Sequence, residues 1–431
     1  MRRTESVVSE AGILVGVLLP DRDGAQPPLQ ELEGLATTAG VRVVGHAVQR
    51  REAPDAATYI GRGKVEELAA LAEKNDADVI LFDNDLSPGQ TRNLERATQR
   101  KVLDRTELIL DIFASRARTV EARLAVELAQ YEYAMPRLKR MWTHLSRQKK
   151  GVGLRGPGET QLEEDRRLVE HRIKDLKREL SAIERRKVRE VAARREFLTV
   201  SLVGYTNAGK STLMNALTGA GVFTQDALFA TLDTRTRRWD LHGWGPVLLS
   251  DTVGFIRDLP HHLIASFKAT LEEARQADLL LHVADGSHPA VGEQIAAAYK
   301  ALEELGIQRK DTLLAINKLD AVADRARVEA LLARYPSAVG ISARTGFGLP
   351  QLATAVAEAL GREFLDVDVE LGIADGRTLA TLAALGEILS KQYYDGRVVV
   401  HCRLARGFLG RICEPGVTIR PHGADPAAAN L

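Results

Sequence analysis

Residues Gly204-Tyr205-Thr206-Asn207-Ala208-Gly209-Lys210-Ser211 open with a glycine and close with a lysine and a hydroxyl. An apolar stretch, 197–203, precedes them, and a helix-forming stretch beginning at Thr212 follows. In a strand–loop–helix setting this spacing makes an anion cradle, because backbone N–H groups of the turn and of the helix start point at one place. Lys210 is placed to neutralise the β and γ phosphates of a nucleoside triphosphate, and Ser211 to ligate Mg²⁺.

Further along, the apolar run Val247-Leu-Leu-Ser ends in Asp251, which suits a carboxylate positioning Mg²⁺ or its water. Gly254, three residues on, presents its N–H to a γ-phosphate. Between the two, Phe229-Ala-Thr231-Leu232 places a hydroxyl in a loop-like stretch, as a switch contact to Mg²⁺ or as an ordinary strand residue. The expected catalytic set is therefore Lys210, Thr231 and Gly254, with Ser211 and Thr231 as metal ligands.

Asn317-Lys318-Leu-Asp320 follows another apolar run and selects the base. The Asp320 carboxylate can accept from the N1–H and 2-amino group of guanine, whereas adenine offers neither donor. A site built on such a bond rejects the wrong partner by about 10⁴-fold or more. Ser342-Ala343 is expected to offer backbone N–H to the guanine carbonyl. Four elements in one order make GTP the expected ligand. Phe255 follows Gly254, where many such switches carry a water-orienting glutamine, so intrinsic hydrolysis is expected to be slow and partner-stimulated. Asn207 is either a ligand for K⁺ beside the transferred phosphate or a plain turn residue.

The elements that must hold these residues divide the 431-residue chain into four. Residues 1–115 alternate short apolar runs with helical patterns, a small α/β domain. Residues 116–196 carry helical seams, Leu124, Leu128, Tyr131, Met135, Leu138, Trp142, Leu145 and then Val169, Ile173, Leu176, Leu180, Ile183. They predict a long antiparallel helical hairpin, with Pro136 kinking its first arm. Residues 197–362 read as the doubly wound sheet of a P-loop GTPase domain. Residues 363–431 read as a small α/β domain: a helix near 380–392, strands at 397–401 and 416–420, and a disordered tail from Pro421.

The net charge of +1 conceals an asymmetry, since residues 116–195 hold 22 Lys and Arg against 12 Asp and Glu. At the hairpin tip, seven basic and no acidic residues run from Arg137 to Arg155, ahead of a glycine-rich loop. A basic tip that lets backbone approach closely suits a phosphate-bearing surface, nucleic acid first. The alternative is a solvated turn. Two cysteines, Cys402 and Cys413, make no disulfide framework, and no apolar run is long enough to span a membrane.

Several longer stretches carry a family resemblance. They are Tyr59-Ile-Gly-Arg-Gly-Lys-Val-Glu-Glu67, Phe82-Asp-Asn-Asp-Leu-Ser-Pro-Gly-Gln-Thr-Arg-Asn93 and Val102-Leu-Asp-Arg-Thr-Glu-Leu-Ile-Leu-Asp-Ile-Phe113. Gly156-Pro-Gly-Glu-Thr-Gln-Leu-Glu163 and Asp251-Thr-Val-Gly-Phe-Ile-Arg-Asp258 complete the set. Over about Leu14 to Arg420 the chain resembles the HflX family of bacterial GTPases, relatives of the Obg group. The resemblance implies binding to the large (50S) ribosomal subunit and its rRNA in the GTP state, and splitting of stalled or idle ribosomes after stress. It also implies that Arg155, Gly156, Pro157, Gly158, Glu159, Thr160 and Gln161 contact the peptidyl-transferase RNA. The expected protein is a monomer with no DNA partner, cytoplasmic with or without peripheral association at a membrane.

Two rival readings stand beside this one. Gly61-Arg-Gly-Lys64 superficially suggests a second, ATP site of an RNA-remodelling enzyme, although the spacing better suits a tight turn starting a helix. The other is a GTP-regulated scaffold without a ribosomal partner. His401, Cys402 and Cys413 as zinc ligands lack the short paired spacing such sites use, so ordinary strand and core residues are expected there.

Overall fold

The computed structural model describes residues 10–20, 29–141, 157–193, 197–219, 228–229, 231–232, 234–241, 245–257, 273–304, 306–307, 312–322, 324–361, 364–394, 396–405, 412 and 416–423. Three sheets and a helix pair follow one another along the chain.

The first sheet is parallel, with order β2-β1-β3-β4, from β1 (Ala11–Leu18), β2 (Arg42–Arg50), β3 (Val79–Phe82) and β4 (Lys101–Asp104). Central β1 and β3 are nearly continuous apolar runs because helices cover both faces. Those helices are α1 (Gln30–Ala39), α2 (Arg62–Lys74), α3 (Pro88–Thr98) and α4 (Arg105–Arg116). A capping box sets the start of α3: the Ser87 side chain accepts from the Gln90 amide, and the Gln90 side chain accepts from the Ser87 amide. Gly61-Arg-Gly-Lys64 forms the first turn of α2, and the Gly61 amide is already taken by Gln49 Oε1 at 2.9 Å.

Helices α5 (Val120–Met141) and α6 (Pro157–Ala193) pair antiparallel: Arg172 meets Glu127 at 2.9 Å and Lys187 meets Glu121 at 2.7 Å. The seam is the least exposed stripe of α6, with Leu176 fully buried. A second face of α5, Ala122, Val126 and Ala129, packs into the first domain, so this helix is buried on two sides. Pro136 lies inside α5. One basic residue assigned to the tip by its sequence position turns inward instead. Arg137 stacks on Tyr133, donates to the Leu86 carbonyl at 3.1 Å and pairs with buried Asp104 at 3.0 Å. Burial pushes the Asp104 carboxyl up, opposed by the Glu107 amide and by Arg137. Arg155 to Gln161 fall outside the residues whose side chains are described; the backbone from Pro157 is the first turn of α6.

The second sheet has order β10-β9-β8-β5-β7-β6, parallel except for the edge strand β6. Its strands are β5 (Thr199–Val203), β6 (Arg235–Leu241), β7 (Gly245–Asp251), β8 (Leu279–Asp285), β9 (Thr312–Asn317) and β10 (Val339–Gly340). Helices α7 (Lys210–Thr218), α8 (Val291–Glu304) and α9 (Arg325–Arg334) lie between them, and α10 (Leu349–Gly361) follows β10. No helix among the described residues is long and apolar enough to cross a membrane.

The third sheet is antiparallel, order β12-β13-β11-β14, and α11 (Gly376–Leu385) packs on it. Its strands are β11 (Phe364–Gly372), β12 (Gly386–Tyr394), β13 (Arg397–Ala405) and β14 (Thr418–Pro421). The sequence expectation of a helix at 380–392 is corrected here. The helix starts earlier, where Asp375 accepts from the Thr378 amide, and stops at Leu385. Gly386 breaks it, and the aromatic-rich run that follows pairs with β13. Order also extends past Pro421, because the His422 amide donates to the Asp366 carbonyl at 2.8 Å. Cys402 is a core residue whose thiol burial pushes up to about 12, and Cys413 lies outside the described residues.

Candidate nucleotide site

The loop from Gly204 to Gly209 sits at the carboxyl end of central β5, where an open parallel sheet leaves a crevice. Two glycines there are obligatory. Gly204 has φ +144° and an added Cβ would lie 2.2 Å from the Val283 carbonyl oxygen. Gly209 has φ +93° and its Cβ would meet Asn317 Nδ2 at 2.4 Å. Asn207, φ +60°, takes the left-handed turn position that asparagine tolerates. Lys210 begins α7, and its buried ammonium donates to the carbonyls of Gly204 (3.0 Å) and Tyr205 (2.9 Å). Burial lowers its pKa to about 8, with Asp251 opposing.

Three residues distant in sequence converge beside it. Asp251 Oδ2 accepts from Ser211 Oγ at 2.6 Å and from Thr231 Oγ1 at 3.2 Å, and the two hydroxyls lie 2.8 Å apart. Burial pushes the Asp251 carboxyl up, while Lys210 and the two hydroxyls act the other way. Its other oxygen, Oδ1, is buried with no hydrogen-bond partner among the described residues. Two hydroxyls and one carboxylate, whose Oδ1 is the orphaned oxygen, form an oxygen-only donor set that fits Mg²⁺ and its bound water.

Gly254 passes so close to the phosphate loop that a Cβ would lie 2.6 Å from Thr206 Cα and 3.0 Å from Lys210 Nζ. Phe255 then pairs with the loop: its amide donates to the Gly204 carbonyl at 3.0 Å, and its carbonyl accepts from Thr206 at 2.6 Å. The ring is buried, so this position anchors the loop and offers no polar group to a water. Thr206 Oγ1 accepts from the Phe229 amide at 2.7 Å, which ties the stretch before Thr231 to the cradle. Thr212 lies in the first turn of α7.

The residues expected to select the base form a second hydrogen-bonded frame. Asn317 donates to the Ala208 carbonyl and accepts from the Ala343 amide, both at 2.9 Å, so it joins the phosphate loop to the 342–343 turn. The Ala343 amide expected to face guanine therefore fixes Asn317 in this structure. Lys318, at φ +63°, pairs with Asp285 at 2.7 Å, and Asp320 accepts from Ser342 Oγ at 2.7 Å.

Sequence reading missed Asp285, an acid closing a strand with no motif of its own. It also missed His282, buried beneath the loop and lowered to about 4 by burial and by Lys210. A third omission is a charged cluster from the first domain. Glu31 accepts from Tyr205 Oη at 2.5 Å and pairs with Arg105 at 3.0 Å. Arg105 also pairs with Asp83 (2.8 Å) and donates to the Arg257 carbonyl (3.1 Å). Arg257 returns to Asp83 at 3.1 Å, and its amide donates to Tyr205 Oη at 2.7 Å. Beside it Phe113 meets Phe229 edge-on, centroids 4.6 Å apart. The first domain thus touches the loop at Tyr205 and the stretches at Phe229 and Arg257.

A largely parallel sheet with this loop at its carboxyl end and the 317–320 and 342–343 frame beside it defines a P-loop GTPase. Family models agree: GTP-binding GTPase N-terminal matches residues 26–114, GTP-binding GTPase Middle Region 116–194, and 50S ribosome-binding GTPase 199–318. The chain is 47% identical to GTPase HflX of Magnetococcus marinus over 94% of both chains. It is 45% identical to GTPase HflX of Escherichia coli, over 94% of this chain and 96% of that one. The chain belongs to the HflX GTPase family and hydrolyses GTP. Among solved structures, a GTP-binding protein from Sulfolobus solfataricus in complex with GDP is similar, with a TM-score of 0.42 and 23% identity over 81% of this chain and 98% of that one.

Proposed function

We propose that the chain is a GTP-driven switch that binds the large ribosomal subunit through its rRNA in the GTP state and parts stalled or idle ribosomes under stress, in the cytoplasm. The observation that carries the switch is the convergence of Ser211 and Thr231 on Asp251, beside Lys210. Residues 204–212 cradle the phosphates, with Lys210 against the β and γ oxygens and the Gly254 N–H on the γ-phosphate. Ser211 and Thr231 hold Mg²⁺, which when bound neutralises the charge that develops between the β and γ phosphates. Asn207 is the residue to hold K⁺. Asn317, Lys318 and Asp320, with the Ser342-Ala343 turn, select guanine. Because Thr231 reaches the cradle from a stretch tied by Phe229, loss of the γ-phosphate releases that stretch and its neighbours in the first domain. The working division into four domains, at 115, 196 and 362, follows from the same reading.

The partner is supported by the description of the model matching 199–318 and by the basic tip read from sequence. Co-sedimentation with 50S subunits is expected with a non-hydrolysable GTP analogue and not with GDP. If the tip makes six or more phosphate contacts, affinity should fall by about 10³-fold between 50 and 200 mM salt. The same subunits are expected to speed GTP hydrolysis, since buried Phe255 leaves the attacking water without a side chain to orient it. Nucleotide-independent sedimentation and an unchanged hydrolysis rate would rule the reading out.

A second test concerns Lys210. Its free form titrates near pH 8, and a bound triphosphate favours the ammonium, so GTP binding should take up protons there. The sign is fixed: affinity is full well below pH 8 and declines as pH rises past it. Calorimetry at pH 8 in two buffers of different ionisation enthalpy should report uptake of about half a proton from this group. Lys210→Arg, always charged, should remove that uptake. Equal uptake in both proteins would contradict the assignment.

A further inference from the structure

The outer face of the third sheet carries a side-chain cluster far in sequence from every nucleotide residue. Along β11 and β13 the residues Val367, Val369, Val400 and Cys402 point into the core, so Asp366, Asp368 and His401 line the opposite face. His401 stands directly across from Asp368, and on the other side Asp368 pairs with Arg420, two residues before His422. Two imidazoles and two carboxylates from three neighbouring chain segments thereby meet. His401 Nε2 lies 2.6 Å from Asp366 Oδ1, and His422 Nδ1 lies 2.9 Å from Asp368 Oδ1. The rings stack with centroids 3.5 Å apart and planes 10° off parallel. Ligand atoms of Asp368, His401 and His422 all fall within 4.8 Å of one another. The arginines Arg397 and Arg420 on this face both turn to Glu370.

From this geometry we infer that His401, His422 and Asp368, with Asp366 beside them, form a site for one divalent transition ion of the zinc class. The donor chemistry selects the ion: imidazole nitrogen with carboxylate oxygen suits Zn²⁺, Co²⁺ or Ni²⁺, whereas Mg²⁺ and Ca²⁺ prefer all-oxygen shells. Ligands at about 2.0–2.2 Å from one zinc ion sit closer together than 4.8 Å, so small rotations that splay the stacked rings complete the shell. The backbone is suited to this, because two ligands project from paired strands and the third from a residue whose amide is bonded to the Asp366 carbonyl. The ion would join β13, β11 and the end of β14, which pairs with β11 through only four residues, and so fasten the last described strand to its sheet.

The test uses the full chain without an affinity tag, saturated with GDP and excess Mg²⁺ so that the nucleotide site is occupied. Calorimetric titration with Zn²⁺ is expected to give one tight equivalent, and Co²⁺ to give visible ligand-field absorption of a nitrogen–oxygen site. His401→Ala and His422→Ala should each weaken the binding by about 100-fold or more. Asp368→Asn, which keeps the shape of the side chain, should weaken it as well, while His171→Ala on exposed α6 should not. GDP affinity measured on each variant reports whether the chain is intact. Absence of a tight equivalent, or binding equally strong in the His401 and His422 variants, would overturn the inference.

Discussion

Asp320→Asn is expected to raise the Kd for GTP by about 10⁴-fold, and to bring xanthosine triphosphate into the affinity range that GTP has in the unaltered chain. The frame around Asp320 predicts that this loss stays local. Its Oδ1 accepts from Ser342 Oγ at 2.7 Å, and an asparagine carbonyl can accept the same bond. Ser342 in turn accepts from the Thr345 amide, and Asn317 holds the 343 turn independently. With the frame intact, the change reduces to two atoms facing the base. A carboxylate oxygen that accepts from the guanine 2-amino group becomes an amide that donates, which suits the 2-carbonyl of xanthine. Fluorescence titration with both nucleotides reads the switch directly, and the unfolding midpoint of the variant reports on the frame. A GTP affinity within tenfold of the original, in a folded variant, would remove Asp320 from base selection.

The ease with which sequence exposed this pocket has a physical cause. Each pocket residue carries its own requirement: Gly204 and Gly209 leave no room for a Cβ, and in the proposed roles Lys210 must be a cation and Asp320 an acceptor. Such requirements fix residue type at fixed spacing and survive without knowledge of neighbours. The parallel sheets were legible for a related reason, since strands covered on both faces, such as β1, read as unbroken apolar runs. The third sheet, in the segment after 362, resisted because it has one covered face and its helix-to-strand change at Gly386 falls within one amphipathic stretch. His401 was weighed only with Cys402 and Cys413 for the same reason. Its partners Asp366 and His422 become neighbours only through strand pairing, and no local spacing announces them.

The interdomain cluster is the extreme of this kind, and it carries the largest expected effect on the folded chain. Arg105 lies outside every nucleotide motif, yet it touches Glu31, Asp83 and the Arg257 carbonyl at once.

 The separation that hides it is the 152 residues between Arg105 and Arg257, bridged only in the folded chain. Its side chain is 4% exposed and that of Glu31 is 9%, so little water reaches the pair. Burial disfavours the Arg105 charge, but Glu31 and Asp83 outweigh it and hold the guanidinium protonated. Removing one partner of a buried pair typically costs about 3–5 kcal/mol, because the partner charge stays buried without its counterion. Arg105→Met is therefore expected to destabilise the chain by about that amount, with Glu31 and Asp83 left to the half-exposed Arg257.

The same substitution should be felt at the nucleotide. Glu31 holds Tyr205 Oη, and Tyr205 supplies one of the two carbonyls that orient Lys210. Loosening Glu31 should thus speed amide hydrogen exchange at residues 205–206, 228–229 and 255–257, while the far edge of the sheet, β9 and β10, keeps its protection. A variant with Glu31→Gln, Asp83→Asn and Arg105→Met together leaves only the half-exposed Arg257 charged in the cluster, so it should regain a large part of the lost stability. Denaturant midpoints rank the three proteins, and hydrogen exchange locates the change. If Arg105→Met left both the midpoint and the exchange at 255–257 unaltered, the cluster would be open to water in solution, and the first domain would not restrain the switch through it.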